Sequence, residues 1–149
     1  GVSGMIAQLR GWLPDPIGGI YWVVLDTAYT SPYFPIYAGT RETAECYKNF
    51  DPTTYSNLSA CWAIDFVDNL LYLKWQEAVK DLWQVRNPYE EQLFSERDHV
   101  DKEALALYEE NPDKALDFLT SYSKGKMETV LEMYNQLHDM LIVKYSNSR

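Results

Sequence analysis

Between residues 13 and 19 the chain reads Leu13-Pro14-Asp15-Pro16-Ile17-Gly18-Gly19, and this block constrains the fold more than any other stretch. Pro14 and Pro16 lack a backbone N–H, and Gly18 and Gly19 carry no Cβ restraint, so a compact turn block is expected and a helix is not. Two β-rich runs flank it, residues 5–12 and 20–25. The second, Ile20-Tyr21-Trp22-Val23-Val24-Leu25, is apolar or aromatic throughout, the pattern of a strand covered on both faces. A hairpin at the heart of a layered sheet is therefore predicted, with Asp26-Thr27 closing its second strand. A third short strand follows over 34–38. Pro32 and Pro35 cannot donate to a ladder, which assigns that run to an edge, a strand start or a bulge.

Residues 41–56 show no clean period and contain the turn Asp51-Pro52, so they read as a loop. It separates a sheet-forming segment, 1–40, from a helical region, 57–149. Trp62, Phe66, Leu70 and Leu73 form one helical stripe, widened by Ile64, Val67, Leu71, Trp75, Val79 and Leu82. With Ser56 or Asn57 as cap and Asn87-Pro88 as stop, this predicts one rod of roughly 45 Å. A more polar helix is expected over 89–110, broken near Arg97-Asp98. Asn111-Pro112-Asp113 then starts a third helix with a cap, a proline in the first turn and an acid favoured by the dipole. Gly125 predicts a kink or break in it.

The 149 residues carry a formal net charge of −9, with 13 Lys and Arg against 22 Asp and Glu. Nucleic-acid binding draws its affinity from cations on phosphates, so nucleic acid is not an expected partner, and neither is an acidic membrane surface. No apolar run approaches the roughly 20 residues of a membrane span. Cys46 and Cys61 lack the spacing of a metal site, and two free thiols are expected rather than a short-loop disulfide. Asp65 and Asp68 are three apart, which suits a solvated or locally paired face better than a shared cation. His99 and His138 fall on separate helices and read as surface or capping residues. No metal site and no cofactor is predicted.

Arg10 is the one charged residue of the first strand run. Alternation places it on one face with Ile6 and Gln8, where a covered guanidinium needs an acidic or carbonyl partner. It is the candidate substrate-binding residue here, orienting a substrate carboxylate or carbonyl; the alternative is a structural ion pair. Trp12 and Trp22 are expected in the core.

The run Gln8-Leu9-Arg10-Gly11-Trp12-Leu13-Pro14-Asp15-Pro16-Ile17-Gly18-Gly19, with Tyr21-Trp22, Ser31-Pro32-Tyr33-Phe34-Pro35-Ile36-Tyr37-Ala38-Gly39 and Trp62-Ala63-Ile64-Asp65-Phe66-Val67-Asp68-Asn69-Leu70, resembles the C-terminal part of the C69-family dipeptidases. These are N-terminal-nucleophile cysteine peptidases related to the secernins. The resemblance implies an α+β chain, the C-terminal portion of an αββα N-terminal-nucleophile hydrolase fold, with a few antiparallel strands followed by long helices. It implies hydrolysis of dipeptides by an N-terminal Cys. Such an enzyme needs Cys, Ser or Thr as its first residue, whereas residue 1 is Gly and Ser3 is not placed to replace it. No catalytic residue is therefore expected in this chain, which is expected to be inactive alone. The expected partners are the N-terminal catalytic portion of the same protein and a dipeptide substrate. Apolar residues over 20–25 and 33–37 predict self-association, as a homo-oligomer or aggregate, when the segment is separated. A cytoplasmic location is expected, with periplasmic and secreted locations left open. The competing reading is a non-enzymatic helical protein-interaction module.

Overall fold

The turn block brings two strands together in a computed structural model that describes residues 4–25, 27, 29–48 and 50–146, without the side chain of residue 146. The expectations placed on Gly1, Ser3 and Asp26 lie outside the described residues. Strand β1 (Gly4–Leu9) pairs antiparallel with β2 (Gly19–Val24), setting Ile6 against Trp22 and Gln8 against Ile20. Strand β3 (Tyr33–Tyr37) lies antiparallel on the other side of β2, with Val23 against Phe34, so the order is β1-β2-β3. β1 stops at Leu9 because the chain turns there: Arg10 N donates to Gly18 O at 2.9 Å and Leu13 N to Arg10 O at 3.2 Å.

The block between the strands is not helix-free as expected. Asp15–Gly18 forms a single helical turn, α1, in which Ile17 N and Gly18 N both donate to Pro14 O, at 2.9 and 2.8 Å. Both prolines sit at its start, where a missing N–H leaves no intrahelical bond unmade. Gly18 is required by close approach, since a Cβ there would lie 2.7 Å from Arg10 O.

β2 is covered more fully on one face than on the other. Ile20, Trp22 and Val24 are buried, while Tyr21 and Val23 are half-buried. Residues 20–25 and 33–37 find most of their cover within the chain; Ile20, Phe34 and Tyr37 are all 2% exposed or less. Within the sheet and the turn after β1, the large apolar side chains left in solvent are instead Met5, Ile6, Leu9 and Trp12.

The long rod expected over 56–86 is two helices. Helix α2 (Ala60–Leu71) is capped by Ser59, whose Oγ accepts from Trp62 N at 3.4 Å. It tightens and ends where Tyr72 N and Leu73 N donate back to Asn69 O and Leu70 O. Helix α3 (Trp75–Glu110) then runs 36 residues, about 54 Å, straight through Pro88 and through Arg97. Pro88 removes one backbone bond, but the turn around it is held by packing. Tyr89 is 8% exposed and its hydroxyl donates to Tyr33 O at 2.9 Å, tying α3 to β3. Asn111 caps α4 (Pro112–Leu141) as expected, its Oδ1 accepting from Asp113 N at 3.0 Å. α4 continues unbroken through Gly125 into a wider turn, Ile142–Ser146.

The architecture is α+β, three antiparallel strands followed by long helices. α4 is its axis, packing against α2, α3 and β3. The main core joins Ile20, Trp22 and Tyr37 of the sheet to Ile64, Leu82, Leu93, Leu119 and Tyr134 of the helices. A smaller core on the other side of β3 gathers Phe34, Ala44, Cys46, Ala60 and Met127.

Candidate functional site

Arg10 sits just beyond β1 with only 6% of its side chain exposed. Its guanidinium is engaged at every nitrogen. Nη1 pairs with Asp101 Oδ2, Nη2 donates to Ile17 O at 2.7 Å and Nε donates to Gly18 O at 3.3 Å. Asp101, on α3, also accepts from the Tyr37 hydroxyl at 2.9 Å through Oδ1. One buried cluster thus fastens the end of α1, strand β3 and the middle of α3. Burial, followed by the Asp101 charge and hydrogen bond, pushes the Tyr37 hydroxyl well above the usual tyrosine range, so it stays a proton donor at any physiological pH. A hollow of about 370 Å³ opens beside Arg10, bounded by Leu9, Leu13, Asp15, Tyr21 and Ala38. The guanidinium's own hydrogen bonds run to internal partners.

The partners sequence reasoning asked for are both present, an acid and backbone carbonyls. Asp101 and Tyr37 themselves were missed. A signal existed for Asp101: it follows Val100 and precedes Ala104 by three on the buried stripe of α3, and an acid on such a stripe needs a cation.

The other candidate residues stand apart. Cys46 and Cys61 are both free thiols. Cys46 is buried, its Sγ donating weakly to Met127 O at 3.9 Å, and burial raises the pKa of both cysteines. Asp68 accepts from Thr30 Oγ1 at 2.7 Å, while Asp65 accepts from Asn69 at 3.4 Å, so the two carboxylates take separate partners. His99 pairs with Glu103 one turn on along α3, and His138 lies beside Asp139 and the Phe66 ring. Trp22 is core, with Nε1 donating to Gln8 Oε1 at 3.2 Å. Trp12 is not: it is 79% exposed, because the chain has already left the sheet at Arg10 and, among the described residues, no element covers its ring. Among the described residues no group of three or more His, Cys, Asp or Glu could hold a metal ion, and no helix is long and apolar enough to cross a membrane.

Fold and geometry define an α+β scaffold in which a buried Arg–Asp–Tyr cluster locks a hairpin sheet onto long helices. The sequence matches the family model of peptidase family C69 over residues 2–87, more than half the chain. This chain belongs to that family. It is also 21% identical over 137 residues to the probable dipeptidase B of Streptococcus pyogenes serotype M1, a match covering 92% of this chain and 27% of that protein. The chain therefore spans about a quarter of that relative's length.

Proposed function

We propose that this chain is the scaffold portion of a cysteine-type dipeptidase whose nucleophile lies outside residues 1–149. In that enzyme an N-terminal Cys attacks the carbonyl of a dipeptide, expels the C-terminal amino acid and forms an acyl-enzyme, which water hydrolyses to restore the thiol. The observation that carries this reading is the family match over residues 2–87. The likeness to a probable dipeptidase supports a dipeptidase within that family. The two thiols in the chain favour a nucleophile elsewhere, because burial raises both, whereas an attacking thiolate needs its pKa lowered by a cation or helix terminus. For Arg10, three internal contacts favour a structural ion pair over substrate orientation.

The test is a dipeptide panel assayed on two proteins, the full-length protein and residues 1–149 alone. Turnover is expected only from the full-length protein, and substitution of its N-terminal Cys by Ala should abolish it. Turnover by residues 1–149 that disappears in Cys46→Ala or Cys61→Ala would refute the assignment of the nucleophile.

A further inference from the structure

Beside the β1–β2 edge, on the face that α3 covers, lies a cleft of about 400 Å³ lined by Ile6, Ala7, Gln8, Trp22, Tyr33, Phe94 and Arg97. That size falls in the range of small-molecule sites, about 300–1,000 Å³. Its walls are apolar. The Trp22 and Phe94 rings meet at 5.2 Å between centroids, and Ile6 and Phe94 are 57% and 54% exposed. Two groups on it have hydrogen-bonding capacity to spare. The Nε of Arg97 is buried and has no hydrogen-bond partner among the described residues, and a buried donor left unmatched costs free energy that a ligand acceptor would recover. Among the described residues the guanidinium's one hydrogen-bonding and ion-pair partner is the exposed neighbour Asp98, through Nη2 at 3.4 Å, a pair weak enough to exchange. The second group is Gln8. Indole N–H can only donate, so the bond from Trp22 Nε1 fixes Gln8 Oε1 as acceptor and leaves both protons of the Gln8 amide nitrogen to donate.

A planar guanidinium and an amide donor at the edge of an aromatic cleft are complementary to one chemistry, a carboxylate attached to an apolar group. We propose that this cleft binds the carboxylate end of a small ligand carrying an aromatic or branched aliphatic side chain. Arg97 and Gln8 donate to the carboxylate, and Ile6, Trp22 and Phe94 enclose the side chain. The dipeptidase reading, on which only the identity of the ligand rests, makes that ligand the C-terminal residue of an apolar dipeptide. The free carboxylate is the feature that distinguishes such a substrate from the interior of a longer peptide.

The test uses the full-length protein with 3-phenylpropionate and its amide, neither of which contains a scissile peptide bond. Binding is followed by ligand-detected NMR. The carboxylate is expected to bind about ten- to a hundred-fold more tightly than the amide, the worth of a charge-assisted contact. Arg97→Gln should bring that ratio to within about threefold, and Arg97→Lys, which keeps the charge and loses the fork, should fall between. Phe94→Ser should weaken both probes alike, since it removes wall and leaves donors. Circular dichroism checks each variant; should Arg97→Gln fail to fold, Arg97→Lys carries the comparison. A ratio near one in the unaltered protein, an unchanged ratio in the Arg97 variants, or no binding of either probe because another part of the protein fills the cleft would each overturn the proposal. No dipeptide turnover with the probe ratio intact defeats the dipeptidase reading alone. Turnover with a ratio of one defeats the cleft alone.

Discussion

Replacing Arg10 with Met removes a charge and three donating nitrogens while keeping an unbranched side chain. What remains is a carboxylate, Asp101, with 11% of its side chain exposed and, among the described residues, Tyr37 as its one remaining side-chain hydrogen-bond donor. Ile17 O and Gly18 O lose their guanidinium contacts at the same time. Removing one partner of a buried ion pair costs about 3–5 kcal/mol, because the other is left desolvated and uncompensated. At roughly 2–4 °C per kcal/mol for a chain of this size, Tm should fall by about 6–20 °C. Arg10→Lys restores one charge to Asp101 but cannot span the acid and two carbonyls together, so its loss should be smaller. The double variant Arg10→Met with Asp101→Leu should recover most of the stability, since paired apolar replacements avoid the desolvated charge. Urea unfolding followed by tryptophan fluorescence gives the stabilities, and dipeptide kcat/KM measured on the full-length protein gives the function. The reasoning fails if Arg10→Met unfolds with a native midpoint and kcat/KM drops about ten- to a hundred-fold, the signature of a lost substrate contact.

Two further perturbations probe the helices. Gly125→Ala should stabilise the chain by up to about 1 kcal/mol, because Gly125 lies inside α4 and an added Cβ meets nothing within 4 Å; an unchanged or lowered urea midpoint contradicts this. Burial works to raise the pKa of Glu96, but hydrogen bonds from Lys126 and from the Tyr122 hydroxyl, the latter at 2.7 Å, hold it below the ordinary 4.5. A carboxylate depressed in the folded state contributes stability that is present above its unfolded pKa and lost as pH falls through the folded one. Stability should therefore decline from about pH 5 downward, and Tyr122→Phe should make that decline shallower; identical slopes in the two proteins would exclude the role.

Periodicity and turn chemistry made much of the fold legible, and the places where they failed share a cause. The hairpin, the third strand and the Asn111 cap follow from local rules that no distant contact opposes. Pro88 reads as a stop because its missing N–H is local information. The Tyr89 hydroxyl that keeps the helix running reaches Tyr33, 56 positions away in sequence, and no window sees it. Gly125 is similar: propensity predicts a break, but Met127 and Val130 on one side and Leu119 and Ser123 on the other are buried in one continuous face, and packing outweighs about 1 kcal/mol of propensity. The need for a partner at Arg10 was legible from its charge and setting. Asp101 lies 91 positions away, so the identity of the partner was not. Trp12 misled because aromatic content signals burial only where the backbone supplies a covering layer.

The two edges of the sheet are finished differently, and the difference has a direction. β3 carries Pro35, and α4 covers it through Tyr122 against Tyr37 and Met127 beside Phe34. β1 has neither a charge nor a proline in Gly4–Leu9 and is exposed at Met5, Ile6, Ala7 and Leu9. A solvent-facing edge of that kind is a template for further pairing, which soluble sheets normally block with charge, proline or cover. Met5 and Leu9 lie on one face of the strand and Ile6 on the other, so apolar surface waits on both sides of the edge. A single added strand would satisfy the backbone but leave Met5 and Leu9 in water; a layer on their face is needed to bury them, whereas on the other face Ile6 borders the open cleft. On the reading proposed here, the remainder of the dipeptidase extends the sheet beyond β1, while the Arg10 cluster sets the angle at which hairpin and helices present that edge.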